Sequence, residues 1–224
     1  MSAAREQILG RIRAAIEGGA ARDVAAAHAR LADPRPNLIP ARAQLRHGKQ
    51  IKLFIKQAEA AAATVSRVAS AADAPAAVAD YLKSHNLPAR AVMAPDPALD
   101  ALPWADTVLE LRCGATDGSD AVAVTGTFAA VAETGTLMIV SGPDHPTTLD
   151  CLPETHVVVL RRDQVVGSYE DGWARLRASG RGTPRTVVFV TGPSRTGDIE
   201  QTMLLGAHGP RRLHIVLIDE DGAP

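Results

Sequence analysis

The sequence predicts an α/β protein with a mostly parallel sheet and helices on both of its faces. From about residue 64 onwards, short runs rich in β-branched residues alternate with segments of helical spacing. One such run, 156–160, is apolar without alternation, which is typical of a strand buried on both faces. Hydrophobic residues make up 46% of the chain and charged residues 22%, so the composition supports a core and argues against general disorder.

The first 60 residues predict a helical arm with a proline-rich linker. A helix ends at Gly18, a second is predicted over 23–31, and a third over 41–63. Three prolines within 33–40 predict an extended connection between the second and third helices. The apolar faces of these helices are narrow, so we expect them to pack on the main body or on a second subunit.

Residues 61–224 form the predicted α/β domain. Asp73 is the expected N-cap of a helix that has Pro75 in its first turn and continues to Ser84, and another helix is predicted over 169–178. The predicted strands cover 64–68, 90–94, 106–111, 121–124, 128–132, 137–140, 156–160, 186–190 and 213–218.

Charge and composition exclude several functional classes. Net charge is −1 and aromatic residues make up 3%, which argues against nucleic-acid binding. Residues 1–60 carry 11 Lys and Arg against 5 Asp and Glu, so a basic arm precedes an acidic body. Such an arm is compatible with docking of a partner, but a solvated helix face is the more common explanation of a charge run.

Two cysteines, Cys113 and Cys151, are too few for a disulfide framework, a cysteine-bound zinc or an iron–sulfur cluster. The N-terminus lacks the apolar region of a signal peptide, and no apolar run approaches the length of a membrane span. We therefore expect a soluble, cytoplasmic protein that does not insert into a membrane.

A loop over 191–200 follows the predicted strand 186–190 and precedes a helix-compatible run at 201–205. A helix N-terminus after a strand presents N–H groups and a positive dipole end, which favours anion binding. The sequence therefore predicts an anion site in this loop.

Within this loop, Ser194 and Thr196 are candidates to cap the helix or to hold a ligand oxygen, and Arg195 is suited to a carboxylate or phosphate. Asp198 is a further candidate, although a carboxylate in a first helical turn is also favourable without a ligand. The hydrolase elbow G-x-S-x-G is not matched, because Thr196 stands where the second glycine belongs.

A second loop over 132–136 lies between two predicted strands. Gly135 permits a positive φ or a close approach of backbone, while Thr134 and Thr136 offer hydroxyl groups. Glu133 is a candidate to orient a ligand hydroxyl or to act as a base. A tight β-turn with a solvated glutamate explains the same residues.

A third loop over 206–210 precedes the last predicted strand. His208 lies between small residues and is a candidate acid or base, and a helix C-cap explains the pattern equally well. Asp144, His145 and His156 lack a third suitably spaced ligand, so no metal site is predicted. Neither a P-loop nor a G-x-G-x-x-G motif occurs, so ATP or NAD binding by these devices is unsupported.

Taken together, A-E-T-G-T at 132–136, G-P-S-R-T-x-D-I-E at 192–200 and G-x-H-G-P at 206–210 resemble the lactate-utilisation family with the LUD domain. The resemblance extends over about residues 65–220 and includes the single-domain C component of the bacterial L-lactate utilisation operon. The resemblance implies a three-layer α/β/α fold similar to sugar-phosphate isomerases and CoA-transferases. It also implies a role in oxidation of L-lactate to pyruvate, with iron–sulfur subunits as partners.

From the three loops we expect a small anionic ligand at the carboxyl ends of parallel strands. Arg195 would pair with the anion, the hydroxyls would donate hydrogen bonds, and Glu133 and His208 are the catalytic candidates. The sequence does not assign a cofactor. A stand-alone enzyme acting on phosphosugar-type or folate-type substrates and a non-catalytic assembly subunit are the alternatives.

Overall fold

The computed structural model describes residues 3–17, 24–197, 203–206 and 208–220. The chain forms two compact units, Met1–Leu38 and Ile39–Pro224. The first unit contains helices α1 (Ala3–Glu17) and α2 (Val24–Ala32). Within the described ranges, every helix is too short or too polar to cross a bilayer.

The second unit contains the remaining helices and all described strands. Its helices are α3 (His47–Ala60), α4 (Ala74–Ser84), α5 (Pro97–Asp100) and α6 (Tyr169–Ala178). Its strands are β1 (Thr64–Val68), β2 (Arg90–Met93), β3 (Glu110–Cys113), β4 (Val122–Thr125), β5 (Ala129–Val131), β6 (Thr136–Val140), β7 (Thr155–Arg161), β8 (Val165–Val166), β9 (Val187–Val190), β10 (Arg195–Gly197), β11 (Met203–Leu205) and β12 (Arg212–Ile218).

The main sheet has six strands in the order β1-β12-β7-β4-β2-β3, and all of its pairings are parallel. One face packs against α4 and α5, and the other packs against α3 and a second sheet. Helix α6 packs on the outer side of the second sheet. This arrangement confirms the predicted three-layer α/β/α class with a mostly parallel sheet.

The second sheet has the order β8-β5-β6-β9 and is mixed. Strands β5 and β6 are antiparallel, as are β6 and β9. The four residues between β5 and β6 are too few for the crossover that a parallel pair requires, so a hairpin forms instead. Three of the strands predicted from the sequence thus leave the main sheet.

Helix α3, which the sequence assigns to the N-terminal arm, lies in the second unit. Its residues Ile51, Phe54 and Ala58 are buried in the core between the two sheets. The apolar face of α3 therefore packs on the α/β body, which is one of the two alternatives expected from the sequence.

The C-terminal end of α3 is closed by a Schellman-type cap. The N–H of Ala63 donates to Ala58 O at 3.0 Å, and that of Ala62 donates to Glu59 O at 2.9 Å. Ala62 has φ +69°, in the left-handed region that glycine prefers. The side chain at this position therefore imposes a conformational cost on the cap.

We predict that Ala62→Gly raises the free energy of unfolding by about 0.5–1 kcal/mol, because glycine adopts this φ without a Cβ penalty. Chemical denaturation of the purified protein measures the change. Ala60→Gly, at an exposed position inside α3, is the matched control and should lower stability by a similar amount. A loss of stability in both variants would contradict the cap.

His214 in β12 is buried on the α4 side of the main sheet. Its ring stacks on Tyr81 with 3.8 Å between centroids, and its Nδ1 lies 2.8 Å from the Thr64 hydroxyl. Burial, with a smaller contribution from His85, lowers the pKa of His214 from 6.5 to about 4. The folded protein therefore holds this imidazole neutral at pH values where the unfolded chain protonates it.

The free energy of unfolding has its full value with respect to His214 above pH 6.5, and it decreases as pH falls towards 4, because the unfolded chain then binds a proton that the folded protein excludes. We expect His214→Phe, which retains a ring on Tyr81, to reduce the acid-induced loss between pH 7 and 4.5 by about 2 kcal/mol. Urea unfolding at both pH values checks this. The exposed His47→Gln serves as the control, and an unchanged pH dependence in His214→Phe would refute the assignment.

Candidate functional site

Part of the predicted loop over 191–200 forms strand β10. Strand β10 pairs antiparallel with β11, with Arg195 opposite Leu205 and Gly197 opposite Met203. The predicted helix over 201–205 is therefore wrong at residues 203–205. A run this short cannot repay helix nucleation, whereas pairing with β10 satisfies its backbone. Asp198 lies outside the described residues.

Ser194, Arg195 and His208 line one cavity of about 300 Å³, as the two loops predict. The Ser194 N–H donates to Pro210 O at 2.8 Å, and the Gly206 N–H donates to Ser194 O at 2.9 Å, so backbone bonds hold the loops together. We call this the amino-edge cavity; its lining comprises Asp150, Cys151, His156, residues 189–195, 208–210 and Leu213.

The amino-edge cavity lies at the amino ends of β7 and β12, where Thr155 is in register with Arg212. The sequence predicts the site at the carboxyl ends of the strands, so the expected edge is wrong. The reason is the path of the chain. The His208 loop leads into the start of β12, and backbone bonds to that loop place Ser194 beside it.

Arg195 also contacts α3. Its Nη2 donates to the carbonyl of Ala61 at 2.9 Å, at the C-terminal end of the helix, where a cation is favourable. This bond uses one of the five N–H donors of the guanidinium group. Arg195 thus has a structural bond and lines the amino-edge cavity.

The second loop forms a separate polar network. Glu133 is buried, and its Oε1 accepts the Tyr169 N–H at 3.2 Å, at the start of α6. The Thr134 and Thr136 hydroxyls lie 2.7 Å apart, and both contact the Tyr169 hydroxyl. Glu133 does not line the amino-edge cavity, so the structure does not place it beside His208.

This network reaches the cavity through one contact. The Thr136 hydroxyl lies 2.7 Å from that of Thr191, which lines the amino-edge cavity. Gly135 has φ +70°, in the left-handed region that the sequence allows for it. A Cβ at this position would lie 2.2 Å from Ala58 N. The close approach predicted for Gly135 is therefore that of the α3 backbone. Thr196 lies in β10, opposite Leu204.

Asp150 and His156 line the same cavity, and sequence reasoning missed Asp150. The Asp150 Oδ1 lies 2.7 Å from His145 Nε2 and 4.0 Å from His156 Nε2. Both histidines carry a weak sequence signal beside Asp144, but only folding brings them to Asp150. In the described part of the chain, no group of three His, Cys, Asp or Glu side chains is arranged for a metal ion.

His156 is fully buried, and its Nε2 lies 2.8 Å from the Thr125 hydroxyl, which donates to Gly126 O. Burial lowers the pKa of His156 to about 4, against a smaller opposing effect of Asp150. The ring is therefore neutral near pH 7. Among the described residues, neither His156 Nδ1 nor Asp150 Oδ2 has a hydrogen-bond partner. The Asp150 oxygen is an acceptor, and His156 Nδ1 is an acceptor in the tautomer that carries its proton on Nε2.

Comparison with known proteins gives a consistent picture. The LUD domain family model matches residues 118–218. Lactate utilization protein C of Deinococcus radiodurans is 34% identical over 157 residues, which cover 66% of this chain and 70% of that protein. Lactate utilization protein C of Bacillus subtilis is 28% identical over 102 residues, 44% of this chain and 42% of that protein.

Uncharacterized protein NMB1437 of Neisseria meningitidis is 35% identical over 96 residues, 43% of this chain and 41% of that protein, so this match spans less than half of the relative. The crystal structure of a DUF162 family protein from Deinococcus radiodurans matches with a TM-score of 0.57 at 24% identity, over 78% of this chain and 99% of that chain. That likeness supports the fold. The chain belongs to the LUD-domain family that includes lactate utilization protein C.

Proposed function

We propose that this chain is a component of a bacterial L-lactate utilisation system and that its amino-edge cavity binds lactate or pyruvate. The names of its relatives support the pathway. One observation supports this ligand: Arg195, Asp150 and His156 line the same cavity, and Asp150 Oδ2 and His156 Nδ1 have no hydrogen-bond partner among the described residues. A 2-hydroxy acid needs a cation at one end and an acceptor at the other.

In this proposal the carboxylate of the ligand pairs with Arg195 and accepts a hydrogen bond from Ser194. The 2-hydroxyl group donates to Asp150 or His156, and His208 is the acid or base exposed at the cavity rim. Thr134, Gly135, Thr136 and Thr196 support the cavity wall. Glu133, held at the start of α6, serves as a positioning residue in this arrangement.

Oxidation of lactate to pyruvate releases two electrons and two protons. Cys113 and Cys151 are too few for an iron–sulfur cluster, so we assign the electron acceptor to iron–sulfur partner subunits. This chain would orient lactate, accept the hydroxyl proton at His156 or Asp150 and accept the C2 proton at His208, while both electrons pass to the partner subunits. A cytoplasmic location stays a prediction from the sequence.

We expect Arg195→Gln to weaken binding of lactate and pyruvate at least about tenfold, because the charged partner of the carboxylate is lost. Calorimetric titration measures both affinities, and growth on lactate tests the consequence in cells. Circular dichroism follows stability, since the Ala61 contact is lost as well. The exposed Arg185→Gln is the matched control. Unchanged binding in Arg195→Gln would disprove the assignment of the carboxylate site.

Asp150→Asn separates the two ligands. An asparagine whose carbonyl retains the His145 bond places an N–H donor where Asp150 has Oδ2. Lactate loses a hydroxyl acceptor, whereas the pyruvate carbonyl gains a donor. We therefore predict about tenfold weaker lactate binding with pyruvate binding equal or tighter. Competition titrations measure the ratio, and equal effects on both ligands would argue against a hydroxyl contact at Asp150.

A further inference from the structure

The main sheet contains a topological switch point between β2 and β4. These two strands are neighbours. After β2 the chain continues to β3 on one side of the pair, whereas the next main-sheet strand after β4 is β7, on the other side. In open α/β sheets, connections that diverge in this way leave a crevice at the carboxyl ends of the strands, and ligands bind there. The amino-edge cavity lies at the opposite ends of the strands, their amino ends.

The crevice is present. Two cavities of about 270 and 410 Å³ share Asp96, Ala98, Gly126, Arg161 and Gln164, which follow or end β2, β4 and β7. We call them together the carboxyl-edge cleft. Gly126 opens it at the switch point, because a Cβ there would lie 2.8 Å from Asp96 Oδ2. Their combined size is in the range of small-molecule sites.

One half of the cleft is cationic. Arg161, Arg175 and Arg181 line it, against the carboxylates of Asp96 and Asp144. Arg161 Nε donates to Asp163 Oδ1 at 3.2 Å, and Arg181 Nη2 donates to Asp144 Oδ2 at 3.2 Å. These contacts orient the guanidinium groups. Three such groups around one space match the several oxygens of a phosphate better than the two of a carboxylate.

The other half is lined mainly by apolar side chains, with Glu220 at its margin, where its Oε1 accepts the Ala71 N–H. Leu99, Val159 and Ile218 are buried beneath it, Leu102 is half-buried, and three alanines leave room above them: Ala71, Ala98 and Ala101. Asp96 lies between the halves. Its Oδ1 accepts the Ala98 N–H at 2.9 Å, and its carboxylate is suited to accept from a sugar hydroxyl.

We propose that the carboxyl-edge cleft binds a nucleotide, with phosphate on the arginines, ribose hydroxyls on Asp96 and the base in the apolar half. No glycine-rich phosphate loop takes part, since the arginines supply the donors. This site is independent of the lactate proposal: it lies at the opposite edge of the sheet and shares none of the amino-edge residues.

Calorimetry on the full chain with ADP, AMP, adenosine and inorganic phosphate tests the proposal. We expect ADP to bind at least tenfold more tightly than adenosine or phosphate alone. Arg181→Gln should weaken ADP at least tenfold, and Ala98→Trp, at an exposed position between the halves, should abolish binding without loss of fold. The exposed Arg185→Gln, outside both sites, should leave ADP affinity unchanged.

Several results would overturn the proposal. If inorganic phosphate bound as tightly as ADP, the base would contribute nothing to affinity. If adenosine bound as tightly as ADP, the arginines would not hold the phosphates. Absence of ADP binding at millimolar concentration, or ADP affinity that ignores Ala98→Trp, would reject the cleft. Failure of lactate binding alone would leave the nucleotide result intact.

Discussion

The close packing of the α3 C-terminus against the loops that contain Gly135 and Gly192 determines how the rest of this domain is arranged. A Cβ at Gly135 would lie 2.2 Å from Ala58 N, and one at Gly192 would lie 2.1 Å from Ala61 O. Both glycines have positive φ, and Arg195 donates to the same Ala61 carbonyl. One helix end therefore joins the second sheet to the hairpin that forms a wall of the amino-edge cavity. This contact adds to the Thr136–Thr191 hydroxyl pair and to the backbone bonds of Ser194, which hold the same segment against the sheets.

The sequence predicts the layers of this fold well, because strands buried on both faces leave unmistakable apolar runs. It fails where a short segment has two favourable partners. Residues 203–205 satisfy a helical pattern, but their backbone pairs with β10. The closeness of Gly135 to other backbone was also predicted, but the local sequence does not say which backbone approaches. Only the tertiary structure identifies α3.

The candidate site divides in the same way. Ser194, Arg195 and His208 were predictable because polar residues in small-residue loops carry a local signal. Asp150 was not, because its neighbours in sequence give it the ordinary appearance of a turn. Its importance depends on His156, which β7 brings to it, and on His145 in the connection between β6 and β7. The edge of the sheet was mistaken because the order of strands, and thus which loops meet at which end, depends on pairings that a single sequence does not specify.

The pair formed by His145 and Asp150 joins the two edges of the main sheet. His145 lines the carboxyl-edge cleft and Asp150 lines the amino-edge cavity, and 2.7 Å separate their bonded atoms. A charge introduced at one edge would therefore act on the other through two buried side chains, where solvent screening is weak. Thermodynamic reciprocity then requires that, if a ligand in the cleft changes the affinity of the cavity by some factor, a ligand in the cavity changes the affinity of the cleft by the same factor.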